Sequence, residues 1–293
     1  MPKDAAADEL PNLNVGHLFS VSGKVALVTG GGSGLGKMMA GALVQNGVKV
    51  YIASRKLDEL ERIAKLLSES APKNGPWPPE QACIPLRADI INRAGCEALA
   101  EEIKKRESQL DILVNNSGVT WGGKLDDFPE EKGWDRTFDL NVKSQFYMTT
   151  SLLPLLEKGK TNTQHASVVN IASVAAIMPM ASSPLSAPGT GTYSYQPSKA
   201  ASVHLSRTLA YELSDRFVFV NAICPGVFPS RMTSWSMGEN REALEIGQPT
   251  GRLGTPEDIA GVLLFLCSRA GAHVTGMGIV LDGGQNMQYV PKL

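Results

Sequence analysis

The sequence predicts a doubly wound α/β fold on a parallel sheet, and three observations predict it. Short, continuous apolar runs recur along the chain, as strands covered on both faces require. Stretches with helical apolar spacing alternate with them from end to end, without a break in composition. The first run, Val25 to Val28, passes directly into the glycine-rich turn Thr29-Gly-Gly-Gly-Ser-Gly-Leu-Gly36, and a helical pattern, Lys37 to Val44, follows.

The other elements follow in order. Asn46-Gly47 stops the first helix, since glycine tolerates the left-handed backbone of a C-terminal cap. Val48 to Ala53 reads as the second strand, and Leu57, Leu60, Ile63, Leu66 and Leu67 mark the next helix. Pro72, Pro76, Pro78 and Pro79 around Trp77 predict a surface loop before a third strand, Cys83 to Ala88. Ile112 to Val114, Ser167 to Ile171 and Phe217 to Ile223 are further strands, with helices near 92–107 and 130–157. Thr255-Pro-Glu-Asp258 predicts an N-cap with proline in the first turn. The helix behind it leads to a last strand, Gly278 to Leu281, and a Gly283-Gly284 turn. The expected organisation is an N-terminal extension over 1–20 and one domain over 21–293.

Composition narrows the function. The chain has 293 residues, 43% of them hydrophobic, and a net charge of −1, which supports a large core and no polyanion binding. Nucleic acid and membrane partners are therefore not expected, because no apolar run approaches a span of roughly 18 residues. Cys83, Cys96, Cys224 and Cys267 lack metal-site spacing, so reduced thiols and no metal are expected. Asn115-Asn-Ser117 fits a glycosylation sequon but ends an apolar strand, which points to an internal position.

A strand, a glycine turn and a helix together aim backbone N–H groups and a positive helix end at an approaching phosphate. Gly30 makes the turn, Gly34 lets backbone meet a pyrophosphate, and Gly36 lets helix and strand pack closely. A triphosphatase loop fits less well, since Met38 stands where a magnesium-binding hydroxyl is required; a plain glycine turn is the remaining rival. An acid at the end of the second strand would hold the ribose diol of NAD. Here that place reads Ser54-Arg55-Lys56, which suits a 2′-phosphate and favours NADPH, unless Arg55 is a solvated helix-start residue.

Tyr195 and Lys199 lie four apart on a predicted helix and so share one face. A phenol of pKa ~10 needs perturbing before it exchanges protons readily at neutral pH, and a nearby ammonium can lower it. Tyr193 has no such lysine, and His165 and His204 have no motif around them.

These motifs together resemble the short-chain dehydrogenase/reductase family from about Leu18 to Gly284. The match comprises Thr29-Gly30-x-x-x-Gly34-x-Gly36, Asp89, Asn115-Asn-Ser-Gly118, Asn141, Ser173, Tyr195-x-x-x-Lys199 and Pro225-Gly226. The resemblance implies a seven-stranded parallel sheet with helices on both faces. It makes Tyr195 the proton donor and Ser173 the hydroxyl on the substrate carbonyl. Lys199 would bind the nicotinamide ribose and lower the tyrosine pKa, and Asn141 would hold a relay water. It assigns cofactor contacts to Gly30, Ser33, Gly34, Leu35, Gly36, Ser54, Arg55 and Lys56, then to Asp89, Ile90, Asn116, Ser117 and Gly118. Pro225, Gly226, Phe228 and Ser230 complete that set beside Tyr195 and Lys199. Polar residues such as Asn141 and Ser173 could instead cap helices or close strand ends.

Ser173 and Tyr195 are 22 residues apart, longer than the family usual, so 178–192 reads as an insertion, either a substrate flap or an inert loop. Trp121, Met178, Phe228 and Met232 are expected to line an apolar substrate site. Asn115 to Gly122 and Phe228 to Thr233 resemble the branch holding β-ketoacyl reductases of the rhamnolipid-pathway type. The function expected is an NADPH-dependent carbonyl reductase. The rivals are an NADPH-binding regulator without turnover and a biosynthetic reductase coupling reduction to cyclisation or isomerisation. The family implies a homodimer or homotetramer. Cytoplasm is the expected location, with Pro291-Lys-Leu293 a faint echo of the peroxisomal Ser-Lys-Leu signal.

Overall fold

The computed structural model describes residues 10–182, 186–230, 233, 241–242 and 244–287. Met232 and the C-terminal Pro291-Lys-Leu293 lie outside the described residues. Seven strands form one parallel sheet: β1 (Val25–Thr29), β2 (Lys49–Ser54), β3 (Cys83–Arg87), β4 (Ile112–Asn115), β5 (Ala166–Ile171), β6 (Val218–Pro225) and β7 (Gly278–Leu281). Their order is β3-β2-β1-β4-β5-β6-β7. The order reverses between β1 and β4, and a ligand crevice is expected at the carboxyl ends of those strands. In register, Val28 pairs with both Ile52 and Val114, so the glycine turn rises from the middle of the sheet.

Burial explains the continuous apolar runs. Every residue of β1, β4 and β5 is buried, since helices cover both faces. One face is covered by α2 (Gly34–Gln45), α3 (Leu57–Ser68) and α9 (Pro256–Cys267), through Met39, Leu43, Leu60, Ile63, Ile259 and Leu263. The other is covered by α5 (Arg93–Lys104), α7 (Ser144–Leu156) and α8 (Tyr195–Leu213), through Leu99, Ile103, Met148, Leu152 and Leu209. Truncating one of these leucines to alanine costs about 2–5 kcal/mol in a core of this kind. The remaining short helices are α1 (Val15–Leu18), α4 (Pro79–Ala82) and α6 (Arg136–Phe138). Among the described residues no helix is long and apolar enough to cross a membrane.

Several boundaries move for local reasons. The sixth strand starts at Val218, because Phe217 takes a left-handed φ of +56° that closes the preceding turn. The proline loop ends in α4, and Trp77 packs back under the Lys49 ammonium, 5.2 Å from the indole centroid. The expected 130–157 helix is interrupted by π turns at Glu130–Asp135 and Asp139–Lys143, flanking α6. Thr255 forms the expected cap as a full capping box with Asp258. Gly47, Gly283 and Gly284 hold positive φ, as their turns demand.

Candidate active site

The glycine turn is shaped by contact. Gly30 and Gly34 have φ of +66° and +51°. A Cβ on Gly36 would lie 2.2 Å from the Gly30 carbonyl oxygen, so only hydrogen fits where α2 crosses the turn. Thr29 Oγ1 accepts bonds from the backbone N–H of Asn116 and Ser117, at 3.0 and 3.1 Å, locking the turn to the end of β4. Asn116 adds an amide bond of 2.9 Å to the Thr29 carbonyl. At the mouth of α2, Ser33 makes no side-chain capping bond and no acid occupies the first turn. The helix end is thus left positive and open, the chemistry a pyrophosphate needs.

A cleft of about 380 Å³ opens above this turn. Gly30, Ser33, Gly34, Leu35, Ser54, Arg55, Asp89, Ile90, Asn116, Ser117, Gly118, Tyr195, Lys199 and Ser230 all line it. Ser54 ends β2, with the exposed Arg55 guanidinium next to it and no carboxylate at that strand end. These residues fit a dinucleotide carrying a ribose 2′-phosphate. The glycine cradle leaves room for the pyrophosphate, and Arg55 can pair with the extra phosphate bidentately.

At the far end of the cleft, Lys199 is buried and donates to the Ile171 carbonyl at 2.8 Å. Burial lowers its pKa to about 8, with no carboxylate in ion-pair range among the described residues. Its Nζ lies 5.5 Å from the centre of the Tyr195 ring. The pKa of Tyr195 is pushed up by burial, and the Ser173 hydroxyl partly opposes this. Dehydration of the phenolate therefore raises the phenol in this arrangement, where the Tyr195–Lys199 spacing predicts a lowering.

A second cavity of about 290 Å³ adjoins the cleft, and Tyr195, Leu35, Ala172 and Ser230 line both. Val174, Met178, Met180, Val227 and Phe228 give it an apolar wall, and Ser173, Thr120, Thr192 and Ser230 bring hydroxyls to it. The insertion borders this cavity. Gly123 and Gly191 exchange backbone hydrogen bonds of 3.1 and 2.8 Å, and Gln196 Nε2 donates to the Met180 carbonyl at 2.7 Å. The base of 178–192 is thereby tied to the first turn of α8, next to Tyr195.

The other named residues lie at or around these two cavities as follows. Pro225, at the end of β6, and Gly226 and Phe228 just after it line the second cavity, the place expected of Phe228 as a substrate-site residue. Gly36 lies beneath the turn, packed on Gly30, and does not line the cleft. Lys56 is exposed where the chain turns into α3, outside the cleft. Trp121 stands outside the cavity, 36% exposed, because the chain turns outward to pair Gly123 with Gly191. Asn141 is fully buried, and its amide donates to Val119 O and Ser198 Oγ while its oxygen accepts from Val119 N. Its side chain braces the wall behind Lys199 instead of facing the cleft.

Other residues came to the site unannounced. Arg136 and Leu140 line the cofactor cleft, and their spacing of four on one helical stretch is the signal that could have found them. Thr120, Gln196 and Gln285 line the second cavity, and Gln285 has no local sequence signal at all.

The family profile that matches, over residues 30–286, is described as enoyl-(acyl carrier protein) reductase. The rhamnolipids biosynthesis 3-oxoacyl-[acyl-carrier-protein] reductase of Pseudomonas aeruginosa is 40% identical over 269 residues, covering 91% of this chain and 97% of that protein. The 3-oxoacyl-[acyl-carrier-protein] reductase FabG of Thermotoga maritima is 31% identical, with 90% and 98% covered. Among solved structures, the Pseudomonas aeruginosa RhlG/NADP active-site complex is similar at a TM-score of 0.82 and 39% identity, covering 92% of this chain and 98% of that one.

Proposed function

The chain belongs to the short-chain dehydrogenase/reductase family of oxidoreductases, and on that premise we propose that it is an NADPH-dependent reductase of hydrophobic ketones of the 3-oxoacyl type. One observation carries the reading. Tyr195 stands in the wall shared by a polar, glycine-lined cleft and an apolar cavity, with Lys199 on the first side and Ser173 on the second. The NADP complex of a 39% identical structure and the names of the two reductase relatives support the same cofactor and substrate class.

NADPH bound in the cleft supplies the hydride for the carbonyl carbon. Ser173 holds the carbonyl oxygen by a hydrogen bond. Tyr195 gives its proton to that oxygen as charge develops, and such positioned proton transfer is worth roughly 10²–10⁴ in rate. A phenol whose pKa is raised stays protonated at neutral pH, which suits a donor in the reductive direction. Lys199 presents donors to the ribose hydroxyls and an ammonium beside the phenol, and Asn141 and Ser198 hold the wall behind it. Arg55 and Ser54 take the 2′-phosphate. The apolar wall around Met178, Met180 and Phe228 excludes water and favours an acyl chain over a sugar. Two or four copies pairing through the 130–156 helix and α8, where Trp134, Phe146 and Tyr211 are exposed, complete the proposal.

The test is purified protein with NADPH and a panel of 3-oxo esters and ketones, followed by nicotinamide absorbance. Tyr195→Phe is expected to retain NADPH binding and lose about 10²–10⁴-fold in kcat. Undiminished turnover in that variant overturns the mechanism, whereas NADPH binding with every carbonyl refused by the wild type favours a regulator.

A further inference from the structure

The second cavity carries two buried polar atoms that no described residue answers. Thr120 Oγ1 and Gln285 Oε1 are buried, belong to residues lining that cavity, and have no hydrogen-bond partner among the described residues. Buried polar atoms are nearly always bonded in native folds, and an orphan is destabilising. Orphans in the wall of a cavity mark where a ligand completes the bonding.

The placement of Gln285 is built into the chain. It follows β7 through Asp282-Gly-Gly, in which both glycines hold positive φ. The Asp282 carboxylate braces this turn, accepting from the backbone N–H of Gly284 at 2.9 Å and of Asn286 at 2.7 Å. The carboxamide then rests over Gly226, where a Cβ would lie 3.2 Å from Gln285 Oε1 and 2.8 Å from the Asp282 Cα. Glycine at 226 therefore admits the C-terminal turn, and that turn delivers Gln285 to the cavity that also holds Ser173 and Tyr195.

We propose that Gln285, seconded by Thr120, is a specificity-determining residue that hydrogen-bonds a second oxygen or nitrogen function of the ketone substrate. The inference rests on the reading of this cavity as the ketone site. A half-turn about the last side-chain bond exchanges the amide oxygen and nitrogen, so Gln285 answers an ester or amide carbonyl as well as a hydroxyl. A ketone with no second polar group leaves both buried oxygens unpaired, which is how a site built for a hydrogen bond rejects the analogue lacking it.

The experiment compares two ketones of equal reach with NADPH as reductant: ethyl 3-oxooctanoate, and 6-undecanone, which lacks the ester oxygens. Wild type is expected to prefer the ester in kcat/KM. In Gln285→Leu that preference falls by about tenfold, carried by KM for the ester, as loss of a uniform binding contact requires. Thr120→Val, nearly the same shape, lowers it by about threefold and guards against a folding failure of the first variant. NADPH fluorescence titration reports the state of the cleft in each. A preference equal to wild type in both variants overturns the proposal. So does an equal loss for both ketones accompanied by weakened NADPH binding, which places Gln285 in the cofactor site. A wild-type protein inert toward both ketones, yet binding NADPH, overturns the reductase reading and the proposal with it.

Discussion

Lys160 and Lys199 are both buried, at opposite ends of the sheet, and they differ in their company. Lys160 pairs with Asp111, whose other oxygen accepts the Val25 N–H at 2.8 Å. Around that pair, Lys24 donates to the Cys267 carbonyl at 2.5 Å, and His165 stacks on Phe219 at 4.6 Å with Nε2 on Leu266 O. The Asp111 carboxylate answers Lys160 at this amino-terminal end, and burial lowers the pKa of Lys24, which rests on a carbonyl. Lys199, at the carboxyl end, has a carbonyl and a phenol ring but no carboxylate among the described residues, and its pKa drops to about 8. A buried lysine with a counter-ion holds a fold together, whereas one without it is held in readiness for a ligand.

Exchanging each lysine for methionine breaks the comparison most sharply. Lys160→Met leaves Asp111 buried and uncompensated, which costs about 3–5 kcal/mol in denaturant unfolding while the active site is untouched. Lys199→Met is expected to do the reverse. Turnover falls about 10²-fold or more, and stability holds or rises because no unpaired ammonium is buried. Loss of stability in both, or of activity in both, would dissolve the distinction.

His165 extends the comparison to pH. Burial lowers its pKa from 6.5 to about 4, so it is neutral in the fold, and protonation favours the unfolded chain. Its contribution is complete above pH 6.5 and is lost as pH falls toward 4. Between pH 7 and 5 this amounts to about 2 kcal/mol. Urea unfolding of the wild type should show that decline, and His165→Gln should flatten it; equal slopes in the two proteins would refute the assignment.

The smallest expected change concerns the nucleotide. Arg55→Leu removes one charge-assisted contact and should reduce the NADPH-over-NADH preference in kcat/KM by about tenfold. An unaltered preference would move 2′-phosphate recognition elsewhere, with Arg136 as the next cation in the cleft.

The same contrast explains what was legible in the sequence. The glycine turn, the strands marked by buried apolar runs and the Tyr195–Lys199 spacing are local patterns, and local geometry realises them. The bonding of the Asn141 side chain depends on Val119 and Ser198, distant in sequence, and no local pattern shows it. Which cavity Pro225, Gly226 and Phe228 line depends on the length of β6, which no local pattern states. Thr120 was hidden beside the more conspicuous Trp121. Gln285 could not be read at all, since only the packing of the Asp282 turn over Gly226 brings it to the cavity.

The central claim is that Tyr195 mediates between the two cavities, and a crystal structure with NADP⁺ and an unreactive 3-oxo ester analogue tests it most directly. The account predicts the nicotinamide beside Lys199 and the ketone oxygen within hydrogen-bond distance of both Tyr195 Oη and Ser173 Oγ. A ketone lodged away from both hydroxyls, or a Tyr195 phenol turned out of the shared wall with cofactor in place, would contradict it.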